Sequence, residues 1–417
     1  MIQMNKILKY ILLIATLIYI PLEAWPHQDF DIFLLAAKDF ISGGNIFSHS
    51  YENGFHFFYS PLFALLLQPF VHMPIYPARI IWLILNIFAM KRCFNLILTY
   101  FDLQDFPEKT KLLFKISTLA FSAKFILDNF HNGQVTIFIL LLILEGLRLI
   151  EGNKICTGSM LIALGINIKF LPLMVLPLLF YNRRLKSLFY ITGYYLILLV
   201  IPAAVVGWHQ NNILLQQWMI EINPMNHRHL IDTDETTLSG LSTLLPTLLM
   251  DKVPDFYALD LKRNLCNIPE LWVGRCLQII RILLLLGTLL ILRRPPFSNP
   301  ASREKALLEL SYILLLIPLL FPHQQQYAFL FMFPASVFML HRLFRRYLQN
   351  NSAPFLFIFS LISIFLLTNA HLILGTYRKY YDHFKICTYG GLWMLILLFF
   401  SSQKLPANPI SEKKKVD

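Results

Sequence analysis

Residues 353–373 read APFLFIFSLISIFLLTNAHLI, and none of them is Asp, Glu, Lys or Arg. A helix of about 20 apolar residues is what it takes to cross the hydrocarbon core of a bilayer, so this stretch reads as a membrane span. Just ahead of it, residues 341–352 carry Arg342, Arg345 and Arg346. Arg and Lys collect in short cytoplasmic loops, which orients the span. Working outward, residues 384–401, 327–341, 306–321, 271–292 and 186–207 read as further spans. If these six alternate, the other basic stretches fall on the same side as 341–352. They are 181–187 (Arg183, Arg184, Lys186), 293–305 (Arg293, Arg294, Arg303, Lys305) and the tail (Lys404, Lys413 to Lys415). Both termini are then expected in the cytoplasm.

The whole chain agrees with this reading. Of 417 residues, 56% are hydrophobic and 14% charged, and the mean hydropathy is +0.57. That composition belongs in a bilayer. The net charge of +12 sits mostly in short stretches between apolar runs, so it reads as topology rather than nucleic-acid binding. Near the N-terminus, Lys6 and Lys9 precede an apolar run from Ile11 to Ile20 with no small-x-small site after it, read as an uncleaved first span. Between residues 59 and 180 the candidates are 59–72, 78–100, 110–128, 133–150 and 155–180, twelve spans in all. Simple alternation leaves Arg148 and Lys154 outside, and 155–180 is broken at Lys169 and Pro172. The alternative is two short hairpins, 110–150 and 155–180, each with both ends cytoplasmic. The expected fold is one all-α polytopic membrane domain over 1–417, without an inverted repeat. The five cysteines show no metal spacing; only Cys266 and Cys276 lie close together near an external loop.

The loops on the other side are longer and acidic. The first, 25–58, holds Asp29, Asp31, Asp39 and Glu52; the large one, 208–270, holds Asp232, Asp234, Glu235, Asp251, Asp255 and Asp260. Within 25–58, residues 30–41 read as a short amphipathic interfacial helix, with Asp29 at its N-cap and Gly43-Gly44 ending it. Asp29 is thus either a cap or a general base at the water–lipid boundary, and Asp31 is the fallback base. Tyr59-Ser60-Pro61 reads as a span start with an interfacial aromatic. His131-Asn132-Gly133-Gln134 is a turn whose Gln134 could hold a sugar or phosphate. Lys169 lies in an apolar run with no carboxylate within a helical turn. It either snorkels to a span end or meets a lipid phosphate. His323, in the short Pro322–Tyr327 connection, is a solvated turn residue or a phosphate ligand or proton relay. His227 and His229 with Asp232 and Asp234 match no strong zinc spacing, so no metal is expected.

In order and spacing, these pieces resemble glycosyltransferase family 87, polyprenol-phosphate-mannose-dependent enzymes of the GT-C superfamily. The landmarks are Asp29-Phe-Asp-Ile-Phe33 with Gly43-Gly44, Tyr59-Ser-Pro61, Asn132-Gly-Gln134, Gly165-Ile-Asn-Ile-Lys169-Phe-Leu-Pro172 followed by Arg183-Arg184, and Pro322-His323 with Tyr327 and Pro334. The resemblance implies a GT-C-like bundle of about twelve helices in a bacterial cytoplasmic (inner) membrane. It implies transfer of a hexose, mannose first, from a polyprenyl-phosphate donor to a glycolipid or glycan acceptor on the external face. It also implies Asp29 as base, Lys169 and His323 near the donor phosphate, Gln134 and Tyr59 in the substrate site, and no cofactor. Two positions depart from the family: Glu235-Thr236-Thr237 stands where Asn-Gln-Ser is frequent, and no Trp precedes His323. The competing classes are a transporter or flippase, and a polysaccharide polymerase or ligase. A transporter would show a repeat, and a polymerase would lean on external arginines, of which 208–270 has Arg228 and Arg263.

Overall fold

The computed structural model describes residues 14–48, 50–51, 56–223, 238–251, 253, 258–349 and 353–403. Lys6, Lys9, Glu52, His227, Arg228, His229, Asp232, Asp234, Glu235, Asp255, Lys404 and Lys413 to Lys415 lie outside the described residues. Among those described, every regular element is helical, with one isolated antiparallel bridge between Leu238 and Gln325. Among the described residues, five helices are long and apolar enough to cross a membrane: Ile75–Leu98, Leu185–Val206, Glu270–Leu292, Gln326–Leu348 and Phe355–Leu372. Two sharply bent helix pairs raise this to as many as seven. Ile14–Glu23, Ile155–Ile168 and Leu171–Tyr181 are shorter apolar helices. The stretch 353–373 forms its helix from Phe355, just behind Pro354, where a missing N–H is harmless.

The chain packs as two compact units, each discontinuous in sequence. The first draws on residues up to Phe94, Leu127–Phe170 and Tyr190–Ile222; the second on Asn95–Ile126, Leu171–Phe189 and residues from Asn223 onward.

The first unit is organised by a hairpin of two helices, Thr136–Glu151 and Ile155–Ile168. Glycine lets them touch. A Cβ on Gly158 would lie 2.5 Å from the Gly146 carbonyl oxygen and 2.8 Å from Ile150 Cγ1. Small residues at such a crossing allow the close backbone approach on which helix association in lipid depends. Gly158→Val is therefore expected to force the hairpin apart, at about 1–3 kcal/mol or more for overpacking. A thermal melt of the purified variant in detergent should fall well below wild type; an unchanged melt would mean the contact is not tight.

The hairpin also fixes which loops share an end. Its first helix has 16 residues, about 24 Å at 1.5 Å per residue. At the near end, the Asp29 N–H donates to the Asn132 carbonyl at 3.1 Å, and Ser60 Oγ donates to Asn167 Oδ1 at 3.0 Å. At the far end, Arg92 reaches Glu145 at 3.0 Å, and Arg148 pairs with the same carboxylate. Arg148 and Lys154 thus lie away from Asp29, as the hairpin arrangement requires and simple alternation does not. The expected span 59–72 is also corrected. It is two short helices, Pro61–Leu66 and Gln68–Val71, broken at Leu67 just ahead of Pro69, with the second ending before Pro74. Gln68 Nε2 donates to the Ala37 carbonyl at 2.7 Å, and Tyr76 OH to the Pro21 carbonyl at 3.0 Å. This segment therefore stays at the Asp29 end. The Ile75–Leu98 helix makes the crossing instead.

The second unit is built on Arg303–Leu320, buried continuously from Leu307 to Leu320, the pattern of a helix enclosed by others. Ser302 caps it, its hydroxyl accepting from the Lys305 N–H at 3.1 Å. The described parts of the basic stretches 181–187, 293–305 and 341–352 gather at one end of this unit. Phe297 N–H donates to the Tyr181 carbonyl (2.7 Å), Arg342 to the Ser401 carbonyl (3.0 Å) and Arg345 to Glu304 (2.8 Å). Arg294 and Lys305, read from sequence as topology markers, turn inward instead. Arg294 pairs with Glu309 at 2.8 Å, both side chains almost wholly buried, and Lys305 Nζ donates to the Ile291 carbonyl at 2.5 Å. At the other end of Arg303–Leu320, the Ser239 N–H donates to the Gln324 carbonyl at 2.9 Å. There His383 Nδ1 accepts from the Leu259 N–H at 3.1 Å. Cys266 and Cys276 are free thiols.

Candidate active site

Asp29 opens the Asp29–Ile41 helix as its first residue, and Gln28 is the N-cap. The sequence reading of Asp29 as the cap is thus corrected by one position. The carboxylate that closes the helix start is Asp31, whose Oδ2 accepts from the Gln28 N–H at 3.1 Å. Asp31 is also held by Arg79 through two bonds, Nε to Oδ1 at 2.8 Å and Nη2 to Oδ2 at 2.6 Å, with both side chains buried. The fallback base is therefore spoken for structurally.

Asp29 is half-buried, and its carboxylate accepts a hydrogen bond from Gln134 Nε2. The other end of that amide, Oε1, accepts from the Tyr59 hydroxyl at 3.1 Å. The Lys169 ammonium sits over the Tyr59 ring, 5.3 Å from its centroid. Four of the site residues expected from sequence thus form one connected series in the first unit: Asp29, Gln134, Tyr59 and Lys169. His323 belongs to the second unit, where it is half-buried with φ +57°.

Local structure explains each placement. Gly133 has φ +60°, and a Cβ there would lie 2.7 Å from Gln28 Oε1 and 2.9 Å from Phe30 Cβ. Only glycine lets the 132–134 turn lie this close to the start of the Asp29 helix. Trp82 Nε1 fastens the turn by donating to the Gly133 carbonyl at 2.7 Å. Lys169 is the extended residue just past Ile168 (φ −149°, ψ 130°). The chain break read from Lys169 and Pro172 thus puts an ammonium at a helix end. Phe170 packs on Trp218 with centroids 4.9 Å apart. Trp218, fully buried in the Trp208–Glu221 helix, donates from Nε1 to the Phe58 carbonyl at 3.3 Å.

The chemistry of the series follows from its donors and acceptors. The Gln134 amide gives its N–H to the carboxylate, so its oxygen must face the phenol, and Tyr59 must donate. Burial pushes the Tyr59 phenol up, and the Asp29 charge adds to this, which keeps the proton on the oxygen. The Asp29 carboxylate is thus oriented by a neutral amide, the arrangement a proton acceptor needs to hold one geometry. Arg79, Trp82 and Trp218 were not singled out from sequence. A charge four residues into an apolar helix was a signal for Arg79; the other two carry none.

The sequence profile of glycosyltransferase family 87 matches residues 57–322, more than half of the chain. The match takes in Tyr59, Gln134 and Lys169; Asp29 precedes it and His323 follows it. A search of curated proteins finds no match. With several membrane-crossing helices and a match of this extent, the chain belongs to glycosyltransferase family 87 and is an integral membrane glycosyltransferase.

Proposed function

We propose that the protein transfers a hexose, mannose first, from a polyprenyl-phosphate donor to a glycolipid or glycan acceptor at the external face of a bacterial cytoplasmic membrane. The fold in this reading is a GT-C-like bundle of about twelve crossings, counting short and broken helices, with both termini cytoplasmic. The observation that carries the reading is the series from Asp29 through Gln134 and Tyr59 to Lys169. It joins a carboxylate to an ammonium at one end of the first unit. A polyprenyl donor cannot leave the bilayer, so its sugar–phosphate bond must be met at headgroup depth.

One inverting displacement accounts for these groups. The acceptor hydroxyl gives its proton to the Asp29 carboxylate, and its oxygen attacks the anomeric carbon. The bond from that carbon to the phosphate oxygen breaks, and polyprenyl phosphate leaves with the electron pair. Lys169 neutralises the charge that gathers on the phosphate. Gln134 and Tyr59 hold the carboxylate and the ammonium in register.

The test is turnover of purified protein with a polyprenyl-phosphate-mannose donor, read as release of polyprenyl phosphate. Lys169→Met is expected to lower kcat/KM by about 10²–10³-fold, the range for losing one charge-stabilising donor. Lys169→Arg should recover part of it, because the charge remains. Equal turnover in wild type and Lys169→Met would remove Lys169 from the donor site.

A further inference from the structure

The second unit carries a polar constellation that the reaction above does not use. Residues 324–326 form the connection after Pro322-His323, and Gln325 is extended, with φ −79° and ψ 170°. Gln324 and Gln326 flank it. Both are buried, at 4% and 2% exposure. Each gives its amide N–H to an oxygen: Gln324 Nε2 to the Pro322 carbonyl at 2.9 Å, Gln326 Nε2 to Asp382 Oδ1 at 2.6 Å. Neither amide can be turned round, because its oxygen would then face another oxygen. Both Oε1 atoms are therefore directed elsewhere. Among the described residues, neither has a hydrogen-bond partner. Two buried amide oxygens directed in this way call for donors. Beside them, the other oxygen of Asp382, Oδ2, lies 3.5 Å from His371 Nε2. The segment is pinned from behind by the Ser239 N–H on the Gln324 carbonyl (2.9 Å), and Ser239 in turn accepts from the Thr388 hydroxyl at 2.7 Å.

We infer that Gln324 and Gln326, with Asp382 and His371, form a subsite that recognises the hydroxyl groups of a sugar ring. Vicinal hydroxyls are neutral donors that also accept, so they suit two fixed amide oxygens next to a carboxylate and an imidazole. A phosphate would meet acceptors here and is excluded; an apolar chain would leave the oxygens unsatisfied. The inference rests on the glycosyltransferase reading for its choice of a sugar over other hydroxyl-bearing molecules.

The probe is methyl α-D-mannopyranoside, with the glucoside and galactoside beside it, in saturation-transfer NMR on the full-length protein in detergent. Wild type should show transfer to at least one of the three. Gln324→Met and Gln326→Met, which keep length and remove the amide, should weaken it by roughly tenfold or more, as expected when a site loses a bond to a substrate hydroxyl. A diazirine derivative of the same glycoside should label wild type within 322–326 or 371–383, which tests the site even if a variant fails to fold. Transfer that both folded variants retain, or labelling confined to other segments, overturns the subsite. So does the absence of transfer from all three glycosides in protein that still turns over a polyprenyl-phosphate-mannose donor. If donor turnover is absent while transfer and labelling follow the subsite, it is the polyprenyl-phosphate-mannose donor reading that fails.

Discussion

Asp29→Asn is expected to leave the protein folded and to lower transfer by about 10²–10⁴-fold, the usual contribution of a general base. The helix start makes the experiment clean. Capping falls to Gln28 and to the Asp31 carboxylate on the Gln28 N–H, so the Asp29 charge is not needed to begin the helix. Asparagine keeps an oxygen that accepts from Gln134 Nε2, as the carboxylate does, but it cannot take a proton. Two readouts separate the roles: release of polyprenyl phosphate, and the melting temperature of the same preparation. Loss of turnover at an unchanged melting temperature is the expected pair. Near-normal turnover would withdraw Asp29 from the chemistry. A joint fall of both would make it a structural residue whose charge the helix needs after all.

Much of this site was legible in the sequence because its elements are punctuation. Gly133 at positive φ, the break at Lys169 and Pro172, and the Tyr59-Ser60-Pro61 helix start are residues whose backbone demands do not depend on tertiary context. What the sequence could not give was the identity of the cap and the pairing of charges. Gln28, Asp29 and Asp31 are one, two or three positions apart, and helix boundaries read from sequence slip by that much. The crossing 59–72 failed for a related reason. Its composition suits a membrane, yet a break at Leu67, just ahead of Pro69, leaves pieces of six and four residues that stay at the Asp29 end. Arg294 and Lys305 show the limit of reading loop charge as topology. Their stretch does lie with the other basic ones, but Arg294 is committed to Glu309 and Lys305 to the Ile291 carbonyl, partners that only the packed unit supplies. His323 was read from its place in a short connection, and its role still depends on the family resemblance.

Arg79→Met is expected to be the most destabilising single change in the first unit. The guanidinium holds Asp31 through two bonds and also donates from Nη1 to the Trp25 carbonyl at 2.9 Å. Removing it strands a buried carboxylate, and breaking a buried pair from one side costs about 3–5 kcal/mol. Asp31→Asn should cost less than Arg79→Met, because asparagine still offers Arg79 an oxygen. The double variant Asp31→Leu with Arg79→Met should recover much of the loss, since an apolar pair of similar volume is often as stable as the ion pair it replaces. Melting curves of the three proteins test the order. An Arg79→Met protein that melts with wild type would show that the pair contributes nothing net. Turnover adds a second reading. Asp31 fixes the first turn of the helix from which Asp29 projects, so a double variant that regains its melting temperature but not its turnover would assign the pair to positioning Asp29. A double variant that regains both would leave it as a strut of the fold alone.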